Sequence, residues 1–311
     1  MNAVKSGSYL KAISQKVAAE KLYLIKEAEW NQTFIDPMKT GVTIIMLLFI
    51  STLLRAQVVV MSYNLRYDNP GDKDNWWSLR KSELVQMIKK HHPDVLGIQE
   101  GLHSQVMYLD SALAGYSFAG VGRDDGKQKG EYAAIFYNTG KFKLLNSKTY
   151  WLSETPDTIS KGWDAALNRI VTFVKLVAIT GSDTLYVFNA HFDHIGKLAR
   201  EKSAELILGL VAKMQPEKNK LIVMGDLNSE PIERPVEILA SKLDYAFDKR
   251  GVLSSGPEGT FNNFIVEDPV NKCIDYIFTK NCRVTQYVHI SDRRKNGLWL
   301  SDHLPVMLKM E

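Results

Sequence analysis

The sequence contains few cysteines and no apolar stretch long enough to cross a membrane. Its 311 residues include only two cysteines, Cys273 and Cys282, without C-x-x-C spacing, so they indicate neither a zinc site nor a disulfide framework. Cys273 leads into an apolar segment, and we expect it to be a small core residue. The longest predominantly apolar segment is Val42–Leu54, which is shorter than the roughly 20 residues of a membrane-spanning helix. We therefore expect no stable membrane span.

A strong excess of positive charge is also missing. The formal net charge of the whole chain is +4; residues 1–37 account for +1 and residues 38–57 for +2, which leaves +1 for residues 58–311. A protein dedicated to nucleic acids normally neutralises several backbone phosphates with lysine and arginine. The near-neutral charge of residues 58–311 therefore counts against a dedicated nucleic-acid binder, while small or exposed phosphates remain possible substrates.

One segment near the N-terminus has the features of a signal peptide. Lys39 precedes the apolar run, and Arg55 and Gln57 end it. A positive start followed by a short apolar core is typical of a secretory signal, whereas a buried core helix, the alternative, normally shows amphipathic periodicity around it. We expect residues 38–57 to be a signal peptide and the protein to be exported to the periplasm or secreted.

Residues 1–37 stand in front of this signal, although a secretory signal belongs at a true N-terminus. We expect synthesis to start at Met38 and residues 1–37 to be an over-called N-terminal extension. The competing interpretation is a cytoplasmic tail on a membrane anchor. It needs a longer apolar span than Val42–Leu54.

From residue 58 onward, short apolar segments rich in β-branched and aromatic residues alternate with segments of helical periodicity. The predicted strands are Val58–Leu65, Val95–Gln99, Ala133–Tyr137, Ile170–Ala178, Leu185–Ala190, Leu221–Met224, Ile274–Phe278 and Val284–Ile290. The predicted helices are Ser82–His91, Gln105–Leu113 and Leu198–Met214. Strands of this kind are typical of sheets buried by other layers. We therefore expect one α/β domain over residues 58–311, with helices covering packed sheets.

Side chains able to bind a metal or a phosphate follow nearly every predicted strand. They are Asn64, Glu100, His191, Asp226 with Asn228, Asp275, and the pair Asp302–His303 before the last strand. Any one of them fits an ordinary solvated turn. All are Asn, Asp, Glu or His, and none is Lys or Ser. This favours one common edge of the predicted sheets, here called the rim, at which oxygen ligands and an imidazole lie together.

Hydrolysis of a phosphate ester needs charge neutralisation, an activated water molecule and a stabilised leaving oxygen. A hard divalent ion supplies the first and the third, and Glu100 is the candidate ligand, with Asn64 as a neutral oxygen donor. Asp226 and His303 are the candidates for acting on the water. Asp302, which is adjacent in sequence, could hold His303 in one tautomer and favour its protonated form.

Six motifs occur in the order S-Y-N-L-R-Y, L-G-I-Q-E, N-A-H-F-D-H, G-D-L-N, I-D-Y-I-F and S-D-H-L-P-V. Together they resemble the endonuclease/exonuclease/phosphatase superfamily, which has the DNase I-like fold, over residues 58–311. The resemblance implies an α/β four-layer sandwich, with two packed mixed β-sheets flanked by helices. It also implies hydrolysis of a phosphate ester by in-line attack of water, with Mg²⁺ or Mn²⁺ as cofactor. W-L-S-E-T-P, K-G-W-D-A-A and G-T-F-N-N-F look like an exported bacterial branch of this superfamily.

The resemblance further implies a role for each rim residue. By this resemblance Glu100 and Asn64 hold the metal, and the phosphoryl group is contacted by His191, Asn228 and Tyr132. Asp226 orients or deprotonates the water, and Asp275 is a supporting or acid–base carboxylate. Asp302 with His303 forms a dyad that stabilises developing charge. Arg169, inside L-N-R-I-V-T-F, either binds phosphate or is a structural strand-end arginine. Four aromatic residues either line a substrate pocket or close a hydrophobic edge: Trp151, Trp163, Phe261 and Trp299.

The sequence thus favours a metal-dependent hydrolase of phosphate esters, acting as a monomer on a small substrate. The alternatives are a secreted endo- or exonuclease on DNA or RNA, a lipid phosphodiesterase, and a catalytically inactive binding module. A lipid phosphodiesterase should carry an exposed apolar insertion, and none is evident. An inactive module has no need of Glu100, Asp226, Asp275 and His303, and all four are present.

Overall fold

The computed structural model describes residues 57–181, 183–214, 219–247 and 251–311. The expected N-terminal extension and nearly all of the expected signal peptide lie outside these residues. Within the described ranges, none of the helices combines the length and the apolar character that crossing a membrane requires. Residues 57–311 form one compact unit.

Thirteen strands and four α-helices make up the described part of the chain. The strands are β1 (Val58–Asn64), β2 (Val95–Gln99), β3 (Tyr116–Ala119), β4 (Ile135–Asn138), β5 (Phe142–Trp151), β6 (Ile170–Ala178), β7 (Thr184–His191), β8 (Lys220–Asp226), β9 (Asp244–Tyr245), β10 (Leu253–Ser255), β11 (Asp275–Lys280), β12 (Val284–His289) and β13 (Val306–Met310). The helices are α1 (Trp77–His91), α2 (His103–Ala112), α3 (Lys197–Met214) and α4 (Arg234–Ala240), and a short 3₁₀ segment spans Pro70–Asn75.

The strands form two mixed sheets. The first has the order β10-β12-β13-β1-β2-β4-β3, and the second has the order β5-β6-β7-β8-β11-β9. In the first sheet β1 is parallel to β2 and antiparallel to β13. In the second sheet β8 is parallel to β7 and antiparallel to β11. The central strands are buried on both faces, which explains why they read as continuous apolar segments.

Three apolar clusters separate four layers. One lies between the sheets and contains side chains of both, such as Val60, Val187 and Ile222. A second lies between the first sheet and helices α1 and α2. The third lies between the second sheet and helices α3 and α4. The expected sandwich of two packed mixed sheets flanked by helices is confirmed.

The sequence prediction located the central elements and missed the peripheral ones. Strands β3, β5, β9 and β10 and helix α4 were not predicted, the strand after His303 (β13) was expected without bounds, and α1 begins at Trp77, five residues before the predicted helix. The first turn of α1 escaped notice because its aromatic residues interrupt the helical periodicity; Trp77 is nevertheless buried. Strand β5 was missed because it is an edge strand with mostly exposed side chains.

The strand register brings the rim residues together. His191 at the end of β7 lies opposite Asp226 at the end of β8. Asp275 at the start of β11 lies opposite Asp226 on its other side. In the first sheet Asn64 pairs with Gln99, so Glu100 directly follows the paired strands. One end of the two sheets therefore collects these residues.

Candidate active site

Asn64 lies within hydrogen-bond distance of two other predicted residues at this rim. Asn64 Nδ2 donates to Glu100 Oε1 over 3.0 Å and to Asp226 Oδ2 over 2.9 Å. Asn64 Oδ1 accepts from the backbone N–H of Arg66 at 2.9 Å. Asn64 therefore turns its amide nitrogen toward the carboxylates. This differs from the oxygen donor to a metal that we expected, because the turn at Arg66 occupies the amide oxygen.

Several residues just after the rim strands have left-handed backbone conformations. The φ angle is 56° at Arg66, 59° at Glu100 and 47° at Asn228. Such angles are uncommon for residues other than glycine and persist where the surroundings enforce them. The N–H of Asn228 donates to Asp226 Oδ1 at 2.8 Å, and its Nδ2 donates to the Phe192 carbonyl at 3.0 Å. Asn228 is thus fixed beside Asp226, and its contact with a phosphoryl group stays a prediction.

Two imidazoles flank the buried Asp226 carboxylate. The Nε2 atoms of His191 and His303 each lie 3.7 Å from Asp226 Oδ2. His191 is placed by the pairing of β7 with β8, whereas His303 lies in the loop before β13. All three side chains are buried. The site therefore offers a carboxylate and two proton-carrying rings around one point.

His303 pairs with Asp275 and not with its sequence neighbour Asp302. His303 Nδ1 lies 2.8 Å from Asp275 Oδ2, which also accepts a 2.6 Å hydrogen bond from Thr260 Oγ1. The expected Asp302–His303 dyad is therefore wrong as a hydrogen-bonded pair. His303 faces Asp275 and Asp226, whereas Asp302 contacts Ser301 and Arg66.

Asp302 instead faces Arg66. Its Oδ1 accepts from Ser301 Oγ at 3.2 Å, and its Oδ2 lies 3.9 Å from Arg66 Nε. Arg66 is held by two hydrogen bonds of 3.0 Å to Asp72. Burial raises the pKa of Asp302 to about 6, against the opposing effect of nearby positive groups.

The two histidines differ in protonation state. Burial works against a positive charge on His303, but the carboxylates of Asp275 and Asp226 outweigh it and hold the pKa of His303 well above its ordinary value. Burial, together with two nearby arginines, holds the pKa of His191 well below its ordinary value. Burial and the Asp275 carboxylate raise the pKa of Asp226 to about 7. These opposite pKa shifts favour the charged form of His303 and the neutral form of His191.

A carboxylate that the sequence analysis missed lies behind His191. Glu131 Oε2 accepts a 2.7 Å hydrogen bond from Arg123 Nη1 and lies 3.6 Å from His191 Nδ1. Burial raises the pKa of Glu131, while the Arg123 charge opposes the rise. Glu131 is therefore placed to influence the orientation and tautomer of His191.

Arg169 lines the same cleft as Glu131 and His191. Its Nε donates to Asp193 Oδ1 at 3.2 Å, and its Nη2 lies 2.9 Å from His194 Nδ1. Its third nitrogen, Nη1, is buried and has no hydrogen-bond partner among the described residues. The structure thus gives Arg169 a structural ion pair and leaves one donor unused, and its binding of phosphate stays a prediction.

Tyr132 also lines this cleft. Its hydroxyl donates to the Lys127 carbonyl at 2.8 Å and lies 3.0 Å from His103 Nδ1. The single hydroxyl hydrogen is therefore already engaged within the protein. A contact between Tyr132 and a phosphate stays a prediction, and it requires this hydrogen bond to be exchanged.

The two aromatic residues expected to bind substrate have different positions. The half-buried Phe261 ring packs edge-on against His303, with centroids 5.0 Å apart, and Lys272 Nζ lies 5.6 Å from the Phe261 ring. Trp299 is only 3% exposed and packs in a small apolar cluster under the guanidinium of Arg293. This packing fits the alternative that Trp299 closes a hydrophobic edge, and its contact with substrate stays a prediction.

The residues that the sequence analysis missed lie inside the motifs that it used. Arg66 belongs to S-Y-N-L-R-Y, Asp193 to N-A-H-F-D-H, Thr260 to G-T-F-N-N-F, and Glu131 to K-G-E-Y. Each is a polar residue within three positions of a selected one. Their side-chain partners lie six to 24 residues away in sequence, so only the motif position could have indicated them.

Among the residues that the structure describes, two side-chain groups have ligand atoms close enough to hold a metal ion: Glu100, His191 and Asp226, and also Asp226, Asp275 and His303. The second contains His303, whose elevated pKa favours the protonated form, and a protonated imidazole repels a cation. The first combines two carboxylates with a neutral imidazole. The elevated pKa of Asp226 marks negative charge that a bound cation would stabilise. The first group fits a divalent ion.

Two packed mixed sheets that carry carboxylates and imidazoles at one rim define the DNase I-like class of hydrolases. The chain belongs to the Endonuclease/Exonuclease/phosphatase family, whose model matches residues 61–303. Members of this family are hydrolases that act on phosphate esters.

Solved structures from Bacteroides are similar over most of the chain. A family member from Bacteroides vulgatus is 35% identical with a TM-score of 0.77, and the match covers 83% of this chain and 99% of that one. The mannosyl-6-phosphatase of Bacteroides thetaiotaomicron VPI-5482 is also 35% identical with a TM-score of 0.77, over 82% of this chain and 99% of that one.

Curated relatives are more distant. The probable RNA exonuclease NGL3 of Saccharomyces cerevisiae is 26% identical over 195 residues, which is 58% of this chain and 36% of that protein. The chain spans 28% to 60% of the length of the curated relatives it matches.

Proposed function

We propose that this protein is an exported, Mg²⁺-dependent phosphoesterase that hydrolyses a small phosphate ester by in-line attack of water. The observation that carries the proposal is the pair of imidazoles, one neutral and one protonated, on either side of the buried Asp226. Such a pair places a proton donor and a proton acceptor around one point. Mn²⁺ is the alternative ion.

In this proposal Glu100 and His191 help to hold the metal, His303 contacts the phosphoryl group, and Asp226 both binds the metal and acts on the water. A divalent ion held by Glu100, His191 and Asp226 would offset the negative charge of the phosphoryl oxygens. Asp226, when ionised, accepts the proton of the attacking water. His303, kept protonated by Asp275, donates a hydrogen bond to the phosphoryl group as charge develops there.

The proposed substrate class is a phosphomonoester with a polar, sugar-like leaving group. The support is the 35% identity, over nearly the full length, to a protein described as a mannosyl-6-phosphatase. The Phe261 ring beside His303, with the exposed Lys272 over it, offers an apolar face and a hydrogen-bond donor for such a group. The near-neutral charge of residues 58–311 fits a small substrate.

A nuclease of the same fold is the second candidate. The relative described as an RNA exonuclease favours it, while the low net charge counts against it. Export is supported by the sequence of residues 38–57 alone.

A substrate panel with the purified protein tests the proposal. It should include mannose 6-phosphate, other sugar phosphates, inositol phosphates, sphingomyelin, single- and double-stranded DNA, and RNA, each with Mg²⁺ and with EDTA. We expect turnover of sugar phosphates that EDTA abolishes. Preferential cleavage of nucleic acid or sphingomyelin would replace the proposed substrate class, and turnover unaffected by chelation would remove the metal from the mechanism.

A further inference from the structure

Arg80 in helix α1 is a fully buried cation whose side chain bonds only to carbonyl oxygens. Its Nη1 donates to Leu65 O at 2.6 Å and to Leu300 O at 3.0 Å. Its Nη2 donates to Arg66 O at 2.8 Å, and its Nε donates to Asn75 O at 2.8 Å. Its relative exposure is 0%.

This guanidinium has no carboxylate in ion-pair distance among the residues that the structure describes. The rings of Trp77 and Phe264 lie 5.2 Å and 5.7 Å from its central carbon. A buried charge costs free energy unless polar groups compensate it. Here four carbonyl dipoles and two ring faces do so. An apolar side chain would be enough to fill the core at this position. The hydrogen bonds of the guanidinium therefore point to a further role for Arg80.

The positions of the carbonyl groups that accept hydrogen bonds from Arg80 indicate this role. Leu65 and Arg66 directly follow Asn64, and Leu300 stands three residues before His303. The same side chain thus bonds to a segment of the rim after β1 and to the loop before β13. A second tie joins these segments, because Ser301 Oγ donates to the Asn64 carbonyl at 2.8 Å.

We propose that Arg80 is a positioning residue that sets the distance between the Asn64–Glu100 side of the site and the loop that carries His303. This inference rests on the proposed phosphoesterase activity for its catalytic consequence. Arg80 touches none of the reacting atoms in this scheme. It acts by fixing two backbone segments, and a displacement of about 1 Å in such a site can lower the rate about 100-fold.

Arg294 provides a matched control. It is also buried, at 8% exposure, and its guanidinium donates to the carbonyls of Asp74 and Leu79 at 2.7 Å and 3.1 Å. It therefore anchors the same helical region as Arg80. Its bonds do not reach the segments next to Asn64 or His303.

The test compares Arg80→Lys with Arg294→Lys. Lysine keeps the positive charge but cannot reach four acceptors in the planar arrangement of a guanidinium. We expect Arg80→Lys to lower kcat roughly 10- to 100-fold with KM nearly unchanged, and Arg294→Lys to leave kcat near that of the wild type. Urea unfolding of both variants measures their loss of stability, so that the kcat values are compared under conditions in which both variants are folded.

Hydrogen exchange adds a readout that does not depend on activity. In Arg80→Lys the backbone amides of residues 64–67 and 300–304 should exchange faster than in the wild type, and in Arg294→Lys they should not. If Arg80→Lys fails to fold, Ser301→Ala removes the second tie, together with the hydrogen bond from Ser301 to Asp302 Oδ1. It should then lower kcat in the same direction by a smaller factor.

Equal kcat values for the two lysine variants, or unchanged exchange of both segments in Arg80→Lys, would overturn the inference. If the wild-type protein hydrolysed none of the phosphate esters, that result would contradict the proposed function and would not test the role of Arg80. The exchange measurement would still decide whether Arg80 holds the two segments.

Discussion

His303 Nδ1 lies 2.8 Å from Asp275 Oδ2, while the neighbouring Asp302 carboxylate faces Arg66. A carboxylate from one sheet therefore orients an imidazole that the loop before the last strand of the other sheet supplies. The pairing directs the Nδ1–H of His303 to Asp275 and leaves Nε2 3.7 Å from Asp226 Oδ2. The protonated state that the mechanism needs depends on this contact.

The first prediction distinguishes the effects of Asp275 and Asp302 on the pKa of His303. Because Asp275 raises the pKa of His303, activity should be lost as the pH rises through that pKa. Asp275→Asn removes the charge, so the alkaline limb of the kcat–pH profile should move to lower pH. Asp302→Asn should move it less, since Asp302 makes no hydrogen bond to His303. A larger displacement in Asp302→Asn than in Asp275→Asn would contradict the assignment.

Asp226 gives a prediction about stability in the absence of metal. Its pKa is raised from 3.8 to about 7 in the folded protein, so the folded state binds a proton that the unfolded state releases between these values. With EDTA present, the free energy of unfolding should therefore fall as the pH rises from about 4 to about 7. Asp226→Asn should flatten this part of the profile.

The same substitution should reduce the rate strongly. Removing the proposed base typically lowers kcat by about 10²- to 10⁴-fold. Urea titrations at several pH values, together with kcat at saturating Mg²⁺, measure both effects. A variant with a full rate, or with the pH profile of the wild type, would show that Asp226 is not the titrating base.

The metal prediction rests on Glu100. Glu100→Gln keeps the shape of the side chain but removes one negative charge from the group that fits a divalent ion. We expect a higher Mg²⁺ concentration for half-maximal activity and a smaller rise in melting temperature on adding Mn²⁺. Glu258→Gln, which changes an exposed acid, is the control and should behave as the wild type does. Identical ion dependence in both variants would count against the assignment.

Periodicity and strand endings were enough to predict most of the rim. Asn64, Glu100, His191 and Asp226 end buried strands or directly follow them, and the register of neighbouring strands forces such residues together. The partner of His303 was not predictable, because it depends on the conformation of a loop. The backbone of Asn262 bonds to the carbonyl of Asp302 at 2.8 Å and thereby fixes that loop.

Site residues that lie outside the strands were harder to predict from the sequence than those at strand ends. Glu131 and Arg123 lie at the end and near the start of a glycine-rich loop without periodicity, and only the folded loop brings them to His191. The sequence left two roles open for Trp299. An aromatic residue in a loop fits either a pocket wall or a small core, and its packing under Arg293 was not visible in the sequence.

The export proposal predicts a processed N-terminus. Lys39 and the apolar run after it should direct secretion, with cleavage that leaves a mature protein beginning near Gln57 or Val58. N-terminal sequencing of the protein from the native envelope and medium fractions measures this directly. An abundant cytoplasmic form that retains residues 1–37 would exclude the proposed signal.

The last prediction compares two buried threonines near Asp275. Thr260 Oγ1 donates to Asp275 Oδ2 at 2.6 Å and accepts from the N–H groups of Ile274 and Asp275. Thr279, in the same strand as Asp275, has a buried hydroxyl without a hydrogen-bond partner among the described residues. Valine has nearly the shape of threonine, so each substitution tests the hydroxyl alone.

Thr260→Val should destabilise the protein by about 1–3 kcal/mol, because it leaves buried polar groups unpaired. It should also lower kcat several-fold, since the Asp275 carboxylate that orients His303 loses one of its two donors. Thr279→Val should be neutral or stabilising, because it removes a hydroxyl that was already unpaired, and its kcat should match the wild type. Urea unfolding and kcat measured on both variants test the pair. Equal effects of the two substitutions would mean that the hydrogen bond of Thr260 does not support the Asp275–His303 contact.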